Sequence, residues 1–69
     1  MSDHVYRVVE IVGSSPEGVD PAIRNGIRRA GRTLRNVDWF EVTEIRGHLQ
    51  DGDVDDWQVG IKVGFRIEG

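Results

Sequence analysis

The side chains in this sequence with chemistry to offer are two histidines, two tryptophans, a cluster of aspartates and a scatter of arginines. Acid–base or nucleophilic catalysis needs several such groups converging within hydrogen-bond reach. His4 lies near the start, His48 falls in a strand-prone stretch, there is no cysteine, and no nucleophile–base pair stands out. Asp51, Asp53, Asp55 and Asp56 are oxygen donors of the kind a hard cation takes, but they lack the flanking helices and distal Glu of a calcium loop. A solvated hairpin turn accounts for them. Gly13-Ser14-Ser15-Pro16-Glu17-Gly18 has neither the Gly-Lys-Ser/Thr ending nor the Gly-x-Gly-x-x-Gly spacing of a phosphate loop, so it reads as the entry to a helix. Gly60 and Gly64 have the spacing of a membrane helix-packing motif but sit in a strand pattern. There their expected use is to let another chain or a flat ligand approach the sheet backbone.

The tryptophans separate by parity. Trp57 heads the alternating set Trp57, Val59, Ile61, Val63, Phe65 and Ile67, so it is expected on the core face. Trp39 stands beside Asp38, and its odd-numbered companions Glu41, Thr43 and Gly47 are not core-like. An indole on such a face should meet a subunit or an aromatic ligand, since tryptophan is enriched where partners are buried. Gln58 and Arg66 share the polar face of the last strand, and Arg46 belongs to the strand expected to pair with it.

The elements that must position these groups follow from periodicity. Val5 to Val12 is rich in β-branched residues and reads as a strand. Val19, Ala22, Ile23, Ile27, Ala30 and Leu34 then mark one stripe of an amphipathic helix, with Arg24, Arg28, Arg32 and Arg35 mostly off it. Ser15-Pro16 and Asp20-Pro21 each offer an N-cap followed by proline, and Asn36 offers a stop. Val37 to Gln50 resumes as strand, Asp51-Gly52-Asp53 turns the chain, and Trp57 to Ile67 is the last strand. A helical crossover makes the first two strands parallel, while the tight turn makes the last two antiparallel. The prediction is an α+β, βαββ domain spanning 1–69, with a three-stranded antiparallel sheet in the order 1-3-2. The helix should pack on the face of Trp57 to Ile67, leaving the other face bare.

At 69 residues such a domain has a core that barely offsets its conformational entropy. Without cysteine it has no disulfides and lacks the commonest zinc ligands, so self-association is the expected supplement. The first residues, Met1 to Arg7, lack the pattern of a targeting leader, and the longest apolar runs are two residues, far short of the roughly 20 that span a bilayer. No membrane role is expected, and the cytoplasm is the expected compartment. Twelve acidic against nine basic residues argue against nucleic acid as a partner.

Gly13-Ser14-Ser15-Pro16, Asp38-Trp39-Phe40-Glu41-Val42, Ile45-Arg46-Gly47, and Gln58 followed by Val63-Gly64-Phe65-Arg66 together resemble the bacterial dodecins over nearly the whole chain, in length, element order and spacing. The resemblance implies βαββ protomers assembled into a hollow dodecamer of cubic symmetry that binds flavin between subunits without turnover, for storage, sequestration and photoprotection. It implies that Trp39 stacks on the isoalloxazine ring, that Gln58 hydrogen-bonds the ring's polar edge, and that two flavins lie between two such tryptophans across a twofold axis. Arg46 and Arg66 match the basic residues that meet the phosphate of flavin mononucleotide (FMN), which favours FMN over riboflavin. A coenzyme A site on Arg28, Arg29 or Arg32 is a further implication. One departure is Trp57, where relatives often carry another aromatic residue.

Three rival readings make different predictions. A structural module whose Trp39 seals an oligomer interface would assemble yet ignore flavin. A nucleic-acid-binding domain would need aromatics on the polar face of the last strand, which has none. A flavoenzyme would need an acid or base beside the ring.

Overall fold

The computed structural model describes residues 3–67, so Met1 and Ser2, the first residues of the segment expected not to be a leader, lie outside the described residues. The order is β1 (Tyr6–Ser15), α1 (Val19–Ala30), β2 (Val37–Gln50) and β3 (Asp53–Arg66). Both outer strands pair antiparallel with β3, giving the order β1-β3-β2. The βαββ topology and strand order are those expected from the hydrophobic pattern.

Several boundaries differ from expectation, each for a local reason. β1 continues through Gly13, Ser14 and Ser15 because these pair with Val59, Gln58 and Trp57. Neither Ser15 nor Asp20 caps the helix. The Ser15 Oγ accepts from the Glu17 N–H (3.1 Å) and closes the preceding turn, and the N-cap is Gly18 at φ 144°, ψ −177°, a conformation almost confined to glycine. Asp20 falls in the first turn, where a carboxylate suits the helix dipole, and binds Arg24 at 2.8 Å. α1 ends at Ala30 rather than near Asn36, and Leu34 is tied back by its N–H to the Ala30 carbonyl (3.0 Å). Asn36, at φ 60°, makes the left-handed reversal into β2. Asp51 (φ 53°) and Gly52 (φ 77°) form the two-residue turn with both central φ positive. β3 therefore starts at Asp53, ahead of Trp57, and Asp53, Asp55 and Asp56 are strand residues.

The core lies between α1 and the central strand. Ala22, Val59, Ile61 and Val63 are fully buried, with Val9, Ile11, Val19, Ile23, Ile27, Leu34 and Val37 packed around them. The helix sits directly on the backbone of β1: a Cβ at Gly13 would fall 2.1 Å from the Ala22 carbonyl oxygen. α1 covers β1 and β3 and leaves β2 largely bare. Phe40, Val42 and Ile45 pair with Val63, Ile61 and Val59 and share the core face, yet Phe40 is 49% and Ile45 55% exposed. Trp57 is half-buried on that face, as its parity requires. Among the described residues no helix is long and apolar enough to cross a membrane.

Candidate functional site

The face turned away from α1 carries the residues singled out in the sequence. On β3 it presents Gln58, Gly60, Lys62, Gly64 and Arg66, alternate positions of a regular strand. β2 is less regular, with register shifts between Val37 and Trp39, between Val42 and Glu44, and at His48–Leu49. The shift at Thr43 changes the parity of the strand. Trp39 pairs with Gly64 and Glu41 with Lys62, whereas beyond the bulge Glu44, Arg46 and His48 pair with Gly60, Gln58 and Asp56. Simple alternation made Gly47 a companion of Trp39. Instead Gly47 pairs with Trp57, a core-face position, and Arg46 joins the face of Trp39.

The indole of Trp39 lies over Gly64. A Cβ at position 64 would stand 2.3 Å from both the Cε2 and Cζ2 ring atoms, so only glycine admits the ring at this height. The flat group that Gly64 lets onto the sheet is thus the chain's own tryptophan. At Gly60 the near groups are the Thr43 hydroxyl and the Glu44 side chain. Trp39 remains 39% exposed, and Tyr6 stands at its flank with ring centroids 6.0 Å apart and planes inclined by 58°. The Tyr6 hydroxyl donates to Asp38 Oδ2 at 3.0 Å. That hydrogen bond, followed by partial desolvation and the charge of Asp38, raises the Tyr6 pKa above its ordinary 10.0, against an opposing effect of Arg66. Arg66 is paired with Tyr6 across β1 and β3, so Tyr6, Asp38, Trp39 and Arg66 form one cluster.

Arg46 and Gln58 form a second cluster on a shared rung. Arg46 Nε donates to Gln58 Oε1 at 3.1 Å, and the same guanidinium forms an ion pair with Glu44. The rungs Trp39–Gly64 and Arg46–Gln58 are six residues apart along β3, roughly 20 Å at the usual rise. The four expected ligand residues therefore lie on one face but in two groups, Trp39 with Arg66 and Gln58 with Arg46. Tyr6 and Glu44 were not foreseen as site residues. Tyr6 is revealed only by the register of β1 on β3, and Glu44 only by the bulge.

Elsewhere, His48 Nδ1 stands 3.4 Å from Asp55 Oδ2 across the third irregularity of β2 and β3. Among the described residues no three histidine, cysteine or carboxylate side chains gather as a metal site. Arg28, Arg29 and Arg32, the residues considered for coenzyme A, are exposed at the end of α1 and just beyond it.

The family model for dodecin matches residues 5–68. The dodecin of Thermus thermophilus is 52% identical over 64 residues, covering 93% of each chain. The solved dodecin from Streptomyces davaonensis superposes with a TM-score of 0.94 at 65% identity, over 99% of this chain and 100% of that one. The dodecin from Streptomyces coelicolor gives 0.94 at 61% identity, over 100% and 99%. With the βαββ fold, the 1-3-2 sheet and near-complete coverage in agreement, the chain belongs to the dodecins, a family of small flavin-binding proteins not recognised as enzymes.

Proposed function

We propose that this protein is a cytoplasmic flavin buffer that stores, sequesters and photoprotects FMN, stacking it on Trp39 at subunit interfaces of a homododecamer without turnover. The observation that carries this reading is the indole of Trp39 laid over Gly64 and still exposed. An indole already held against backbone on one side has little freedom left to lose on stacking, and a ring stacked on an aromatic side chain gains about 1–3 kcal/mol by analogy with nucleobases.

The separation of the two clusters supports an interface site. A gap of roughly 20 Å along the strand is too long for one ring to touch both Trp39 and Gln58 of a single chain. A flavin on Trp39 would therefore take its Gln58 and Arg46 contacts from another copy, and two flavins would lie between two Trp39 side chains across a twofold axis, each chain supplying half of that site. The Gln58 amide would meet the mixed donor and acceptor edge of the flavin, and Arg46 and Arg66 the phosphate, where guanidinium is better suited than ammonium. The Thermus thermophilus dodecin has been solved with one tryptophan changed to phenylalanine and with each of two arginines changed to alanine. Those three residues are spaced by seven and twenty positions, as Trp39, Arg46 and Arg66 are here.

The direct test is titration calorimetry of the assembled protein with FMN. Saturable binding with as many flavins as chains is expected. Saturation at one ligand for every two chains or fewer would contradict a site pair across a twofold axis, and no binding would contradict the function.

A further inference from the structure

Arg46, one of the two arginines given above to the ligand phosphate, already holds an anion in the chain itself. Its guanidinium is ion-paired with Glu44, and its Nε is committed to Gln58. Two backbone features put the carboxylate there. The bulge at Thr43 turns Glu44 onto the face of Arg46, and the bare Cα of Gly60, its partner across the strands, leaves room for the Glu44 stem, whose Cγ would lie 3.0 Å from a Cβ at that position. The carboxylate therefore occupies guanidinium edge that a phosphate would use. Both side chains are about half exposed, Arg46 49% and Glu44 57%. Pairs of that exposure are weak, so a phosphate carrying up to two charges can displace the carboxylate.

We propose that Glu44 is a resident counter-anion that competes with ligand phosphate for Arg46 and so sets how strongly the site prefers phosphorylated over unphosphorylated flavin. The proposal rests on the flavin reading of this face. A flavin without phosphate leaves the Glu44–Arg46 pair intact, whereas FMN must break it and also approach the freed carboxylate. Glu44 thus holds down a preference that Arg46 and Arg66 alone would make steeper. It touches the ligand's phosphate partner rather than the ring, which makes it a specificity-determining residue of the site.

The test is a set of titrations with FMN and with riboflavin on the native protein, Glu44→Gln, Arg46→Ala and the double variant, each first matched for particle size. The ratio of the two dissociation constants is the readout. Glu44→Gln should shift that ratio toward FMN by about two- to fivefold, the range of an exposed ion pair, with riboflavin affinity unmoved. In the Arg46→Ala background the same change should shift it by clearly less. A Glu44→Gln protein that favours FMN less than the native one would overturn the proposal, since the carboxylate would then be orienting Arg46 for phosphate. Equal shifts for both ligands, or an unmoved ratio with both flavins still bound, would overturn it while leaving the flavin reading in place. A native particle that binds neither flavin would overturn both.

Discussion

At the scale of single residues, the site depends on what glycine omits. Gly64 lacks the carbon that would collide with the indole, so Gly64→Ala must displace Trp39. The expected result is a stability loss of about 1–3 kcal/mol, typical of forced overpacking, with a loss of flavin affinity as large as that of removing the tryptophan. Denaturation and FMN titration on the same preparation would check this. Unchanged flavin binding would place the ligand elsewhere. Tyr6 offers an independent probe of the same corner. Its phenol is held protonated by the hydrogen bond to Asp38, so the pKa is raised in the folded chain, and the associated stabilisation is present below pH 10.0 and lost as pH rises through the folded value. Ultraviolet titration should show Tyr6 ionising later than a free tyrosine, and Asp38→Asn should bring it back toward 10.0.

At the scale of elements, most of the architecture was legible in the sequence because strict alternation and a helical stripe are strong signals. The alternation from Val59 to Val63 identified the central strand, and Asp51-Gly52 identified the hairpin, since a turn with both central φ positive favours such a pair. What was not legible was register. Nothing in Val42-Thr43-Glu44 announces a bulge, and plain alternation from Trp39 would put Arg46 on the opposite face. The helix start was likewise obscured, because two Ser/Asp-Pro signals competed and the glycine between them took the cap. The seating of α1 on β1 was also invisible, because Gly13 read as punctuation when its role is close approach. Gly13→Ala would place a carbon 2.1 Å from the Ala22 carbonyl oxygen, backbone that cannot swing aside. It should destabilise the fold by about 1–3 kcal/mol or more, read as a lower denaturation midpoint with an unchanged slope.

At the scale of the whole molecule, the single chain is elongated and leaves apolar surface bare. Its extents are 55 × 20 × 14 Å and its radius of gyration is 14.3 Å, against about 11 Å for a compact domain of this length. The hairpin of β2 and β3 projects beyond the helix that should cover it, and Phe40, Val42 and Ile45 form an exposed apolar row on the core face. Burying that row against other copies is what assembly would supply. Ile45→Lys is therefore expected to shift the particle to smaller species by sedimentation and to lower its melting temperature, with the native protein's own stability rising with concentration. The face proposed for flavin is on the other side of the sheet, so Ile45→Lys probes a different contact from the Trp39 variants. The most direct test of the central claim is an FMN fluorescence titration of the native particle beside Trp39→Ala of matched size. Saturable quenching by the native protein, weakened about 5- to 150-fold in affinity in the variant, is the result predicted from a stacked ring. Quenching that survives intact in the variant, or none by the native particle at any concentration, would contradict it and leave Trp39 as a residue of the subunit interface alone.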